Sequence, residues 1–118
     1  MPKAERDAEL RLDDILQAIG RIRSYTVGMT FDDFSSSQLT FDAVAMNVLV
    51  IGESITHLPD RLKAGFAGLP WKSMVAVRNL VAHGYPELDE RIIWDIAQTR
   101  LDELEAVVRP MFDATQKP

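Results

Sequence analysis

Apolar residues recur along most of this chain three and four positions apart, and nowhere with the strict alternation of a strand. From about Ala4 to Tyr25, Leu12, Ile15, Leu16, Ile19 and Ile22 form one stripe. Arg11, Asp13, Asp14, Arg21 and Arg23 are left for the solvent side, which predicts a first helix. Gly28 and the Met29-Thr30 junction interrupt it. Thr30-Phe31-Asp32-Asp33 has the composition of a capped start to a short helical turn, and Ser35-Ser36-Ser37 is a brief connector. A second helix is predicted to begin between Ser37 and Thr40 and to run to about Leu58, ended by Pro59. Its middle, from Ala43 to Gly52, is apolar nearly all round, so burying one face is not enough. In a domain this small the cover comes from neighbouring helices plus a second copy of the chain, and a homodimer through this region is expected. The alternative is a central helix wrapped entirely by its own bundle.

Between Pro59 and Leu69, Gly65 and Gly68 break a short amphipathic piece in which Leu62 and Phe66 pack. Pro70 then suits the first turn of a third helix, whose buried side is Trp71, Met74, Val75, Leu80 and Val81. Asp89 is a good N-cap for a last helix. There Ile92, Ile93, Ile96, Leu101, Leu104, Val107, Val108 and Met111 keep the helical period for about six turns. Pro110 should kink or end that helix, and residues 114–118 should fray. The predicted architecture is one all-α domain over residues 1–118: an up-and-down bundle of four principal helices with short connecting helices.

Composition narrows the chemistry. A length of 118 residues is enough for one domain with a core of its own. The absence of cysteine removes disulfides, thiolate catalysis and thiolate zinc sites. Two histidines without HExxH-type spacing give a metal site little support, and neither metal nor cofactor is expected. The net charge of -5 and pI near 4.9 argue against a broad electrostatic grip on nucleic acid, so any such contact must be local. Arg61, Lys63, Lys72, Arg78 and Arg91 permit one. The amino terminus mixes charges of both signs, and no uninterrupted apolar run approaches the length of a membrane span. A soluble cytoplasmic protein is the expectation.

Most of the plausible chemistry gathers in Arg78-Asn79-Leu80-Val81-Ala82-His83-Gly84-Tyr85. Gly84 suits the position just past a helix end, which places His83 in the last turn. Asn79 and His83, four apart, share a face. Arg78 and His83, five apart, are separated by about 7.5 Å of rise and about 140° of rotation, which a long arginine side chain can bridge if the last turn loosens. By spacing alone the segment is also an ordinary helix end, since cations there complement the helix dipole. Glu53 and His57 read most simply as residues near a helix end and stay outside the candidate site.

The order of Arg11-Leu12 and Ile15 through Tyr25, Ile51-Gly52-Glu53, Pro70-Trp71, Arg78-Asn79 with His83-Gly84-Tyr85, and Asp89 to Trp94 resembles the HepT family of HEPN-domain proteins over about Arg11 to Val108. The R-x4-H-x-Y arrangement is the most specific part. The resemblance implies a HEPN-like homodimer that is the toxin of a toxin–antitoxin pair and cleaves RNA without a metal. It implies Arg78 and His83 as the catalytic pair and Asn79 as a supporting group. It also implies Tyr85 as the residue on which a partner nucleotidyltransferase of the MntA kind, the antitoxin, places AMP to silence the toxin. Two other readings stand beside it: a non-catalytic nucleotide-binding or adaptor module that works with such a transferase, and a purely structural helical dimer.

Overall fold

A computed structural model describes residues 2–66 and 89–117. Every regular element among them is helical, and the fold is an all-α bundle. Helix α1 (Lys3–Thr26) is followed by α2 (Phe31–Ser35), α3 (Gln38–Thr56), α4 (Asp60–Lys63) and a 3-10 turn at Ala64–Phe66. After residue 88 come α5 (Glu90–Asp95), a π turn at Ile96–Arg100 and α6 (Leu101–Thr115). The third predicted helix, with Trp71, Met74, Val75, Leu80 and Val81, lies outside the described residues.

The predicted stripe of α1 is the buried one: Leu12, Ile15, Leu16, Ile19 and Ile22 join Ala8 and Ala18 against α3 and α6. Val27 and Gly28 end the helix, and Gly28 turns the chain at φ 75, a backbone angle that a β-carbon would strain. The next two starts follow from their caps. Thr30 Oγ1 accepts from Asp33 N at 3.1 Å while Asp33 Oδ2 accepts from Thr30 N at 3.0 Å, which closes the capping box of α2. Ser37 Oγ accepts from Thr40 N at 3.2 Å and opens α3. Helix α3 stops at Thr56, before the predicted Leu58, because the amides of His57 and Leu58 turn back to Ser54 O and Ile55 O.

Helix α3 carries the core on one half of its circumference. Val44, Ala45, Val48, Ile51 and Ile55 are buried, together with Asn47, whose Nδ2 donates to Ala43 O at 2.9 Å. The opposite half is also apolar but open: Leu39 is 83% exposed, Met46 is 59% exposed, and Leu49 and Val50 are half-buried.

The last helix departs from its predicted form at several points. Ile93, Ile96, Ala97, Leu101, Leu104 and Val108 are buried, but the five-residue step from Ile96 to Leu101 is taken by a π turn. Without that wider turn Leu101 would rotate off the core, and Ile92, expected to pack, is 49% exposed. Pro110 does not end the helix, which continues to Thr115. Pro110 and Ala106, the residue whose carbonyl loses its donor, are both exposed, so water can satisfy that group. Met111 and Phe112 pack against the core and hold the last turn, so Ala114 and Thr115 belong to the helix instead of a frayed tail.

Helices α1 and α6 are also tied by charge. Arg23 Nη1 donates to Glu105 Oε1 at 2.7 Å, its Nη2 reaches Asp102, and Arg109 Nη2 meets Glu105 Oε2 at 3.2 Å. The hydrogen bond from Arg23, and after it the one from Arg109, hold the Glu105 carboxyl below its usual range. A depressed carboxyl stabilises the fold at neutral pH, and the contribution disappears as the pH falls through that lowered value. Because both partners keep about a third of their side-chain surface, Glu105→Gln should cost about 0.2–1 kcal/mol at pH 7. In urea titrations the gap between variant and wild type should close as the pH is lowered through the carboxylate range.

Candidate active site

Arg78, Asn79, His83 and Tyr85 lie outside the described residues. The residues on either side of their segment are described. On the near side, Phe66 is fully buried and Leu62 packs against the core. Gly65 lies so close to α6 that a β-carbon there would sit 2.4 Å from Met111 Cε. On the far side, Asp89 Oδ1 accepts from Arg91 N at 2.8 Å, the cap predicted from sequence. Ser35 Oγ donates to Glu90 and joins α2 to the start of α5. The described residues before and after the motif are thus fixed: Leu62 to Phe66 on the core and α6, and Asp89 to Arg91 by the cap and by α2.

The open half of α3 faces a groove of about 470 Å³ between α1 and α3, lined by Arg11, Asp14, Leu49, Val50, Glu53 and Ser54. Half-buried Glu53 stands at its polar end. His57, at the cap of α3 as predicted, lies with Nδ1 2.8 Å from the Glu53 carbonyl oxygen and 3.3 Å from Glu53 Oε1. A carbonyl only accepts, so Nδ1 carries the proton in that contact and Nε2 is left for other partners.

Sequence reasoning did not anticipate what surrounds the start of α5. Phe34 meets Phe41 edge-on at a ring separation of 5.8 Å and Trp94 at a tilt at 5.1 Å, and Phe31 meets Trp94 edge-on at 6.2 Å. The Arg91 guanidinium carbon sits 3.7 Å above the centre of the Phe31 ring. The four aromatic residues were visible as apolar positions. Their convergence from three helices was not.

The HepT-like ribonuclease family model matches residues 15–111. Among similar proteins, one from Methanocaldococcus jannaschii, whose name marks it as a proposed RNase, is 34% identical over 113 residues, covering 92% of each chain. One from Thermococcus cleftensis, named a probable ribonuclease HepT, is 30% identical over 94 residues, covering 80% of this chain and 86% of its own. No solved structure matches the chain at a significant level. With four-fifths of its length inside the family match and the R-x4-H-x-Y motif within that span, the chain belongs to the HepT-like ribonuclease family.

Proposed function

We propose that this protein is a toxin-type endoribonuclease that works as a homodimer without a metal ion. The observation that carries the reading is the family match over residues 15–111, which includes Arg78, His83 and Tyr85 in their R-x4-H-x-Y spacing. RNA cleavage of this kind deprotonates a 2′-hydroxyl, whose oxygen bonds to the adjacent phosphorus as the bond to the 5′-oxygen breaks. The leaving oxygen takes up a proton, and the products are a 2′,3′-cyclic phosphate and a 5′-hydroxyl. Negative charge builds on the phosphorane between these events.

Arg78 meets that charge with a two-pronged cation, and His83 supplies the proton transfers. Asn79 orients the phosphate or the imidazole. One histidine and one arginine are few for three tasks, whereas two motif segments brought together by a dimer supply two of each. The open apolar half of α3, with Leu39 and Met46 exposed, supports such an association. Tyr85 is the control point. An AMP group placed there by an MntA-type nucleotidyltransferase brings negative charge and bulk to the place a substrate phosphate would occupy.

Controlled expression tests the reading. Wild type should arrest growth and shorten cellular RNA, with relief on co-expression of the partner transferase, and His83→Ala should do neither. Partner binding by a wild-type protein that leaves growth and RNA intact would favour the non-catalytic adaptor instead.

A further inference from the structure

We propose that Arg91, held over the Phe31 ring, is a stacking platform for an unpaired base of the RNA strand, close to the point of cleavage. The inference rests on the ribonuclease reading for its substrate class and on the contacts of α2 and α5 for its geometry. The Arg91 guanidinium carbon lies 3.7 Å from the Phe31 ring centre, at a separation where a guanidinium stacks on an aromatic face. The ring beneath it does not move freely, because it rests edge-on against Trp94 at 6.2 Å. Trp94 in turn packs on fully buried Phe34 at 5.1 Å. The guanidinium is thus supported by a column of rings that reaches the core.

Arg91 also differs from Arg23, Arg100 and Arg109 in what it does not bind. Arg23 and Arg109 are held by Glu105, and Arg100 by Asp95 at 3.5 Å. Arg91 is exposed, and no carboxylate among the described residues pairs with its guanidinium. The nearest carboxylates along the chain are engaged elsewhere: Asp89 caps the Arg91 amide, and Glu90 accepts from Ser35. A planar cation supported by a ring and exposed among the described residues can hold a nucleobase without regard to sequence.

Charge decides between base and phosphate. Asp32 and Asp33 follow Phe31, and Asp89 and Glu90 precede Arg91, so four carboxylates adjoin the Arg91–Phe31 pair along the chain. That setting repels a phosphate and tolerates a neutral ring. Arg91 comes six residues after Tyr85, which limits their separation to about 20 Å even for an extended chain. The platform is therefore within a few nucleotides of whatever phosphate the motif segment holds, and it favours single-stranded RNA, whose bases are free to stack.

The test uses the full-length protein and a short 2′-O-methyl oligoribonucleotide, which can bind but lacks the nucleophile for cleavage, with binding followed by fluorescence anisotropy. Both Arg91→Ala and Arg91→Lys should weaken binding about tenfold, because lysine keeps the charge and loses the plane. An abasic nucleotide stepped along the strand should weaken wild type about tenfold at one position and leave the affinity of Arg91→Ala unchanged there. Wild-type affinity in Arg91→Lys, additive losses at every abasic position, or no binding by folded wild type would overturn the platform. The two readings separate cleanly. Arg91-dependent binding by a protein that cuts no unmodified RNA would sustain the platform and sink the ribonuclease reading. Cleavage with KM unchanged in Arg91→Lys would do the reverse.

Discussion

Phe34→Ala should lower the free energy of unfolding by about 3–5 kcal/mol, the range for removing a fully buried aromatic ring. Phe34 has no exposed surface and meets Phe41 of α3 and Trp94 of α5 at 5.8 and 5.1 Å. Its own helix has only five residues and is held locally by the Thr30–Asp33 capping box. Phe31 against Trp94 and the Ser35–Glu90 hydrogen bond also tie α2 down, but Phe34 is its buried residue and the ring at which three helices meet. A cavity there cannot close without pulling α2 inward against the Ser35–Glu90 hydrogen bond. RNA cleavage should fall as well if α5, which follows the motif along the chain, positions it. Urea unfolding measures the loss, and Leu39→Ala, at an 83% exposed position, serves as the control within about 0.5 kcal/mol of wild type. A loss below about 1 kcal/mol at Phe34 would mean that the aromatic cluster does not hold α2 in place.

Met46→Glu should have the opposite profile, with the fold retained and the assembly lost. Met46 sits 59% exposed in the middle of the open half of α3, one helical repeat from Leu39, while Val44, Val48 and Ile51 carry the core on the other side. A carboxylate at that position is solvated in a single chain and buried without a partner in a dimer that uses this face. Association should weaken by about a hundredfold or more. Sedimentation should therefore show wild type at twice the 13.3 kDa chain mass and Met46→Glu at that mass, with unchanged helical content. If the site is composite, RNA cleavage should fall together with dimer mass and return at high protein concentration. A dimer that survives the substitution would place the association on another face.

Much of this fold was legible along the chain because the signals are local. The stripe of α1 needs only a period, and the caps at Thr30, Ser37 and Asp89 need only a side-chain oxygen a few residues ahead of an orphan amide. The excess apolarity of α3 was visible for the same reason, and the structure divides it into a core half and an open half. The π turn was harder to see. A step of five from Ile96 to Leu101 passes for a missed position in a regular period, although it marks the extra residue that the wider turn accommodates. Of the two outcomes expected at Pro110, a kink or an end, the helix does not end, because Met111 and Phe112 pack beyond it. Contacts between remote elements left no trace in sequence. Arg23 and Glu105 are 82 residues apart, and nothing near Arg91 announces that it lies on Phe31. The candidate site reverses the balance: Arg78, His83 and Tyr85 are read from their spacing and family, and the structure contributes the frame around them.

The most direct measurement is cleavage of unmodified RNA by the purified protein in excess EDTA, wild type beside His83→Ala. Wild type should leave 2′,3′-cyclic phosphate ends, and a His83→Ala variant of unchanged helical content should cleave at least about a hundredfold more slowly. Equal cleavage by both proteins, or none by folded, unmodified wild type, would contradict the ribonuclease reading.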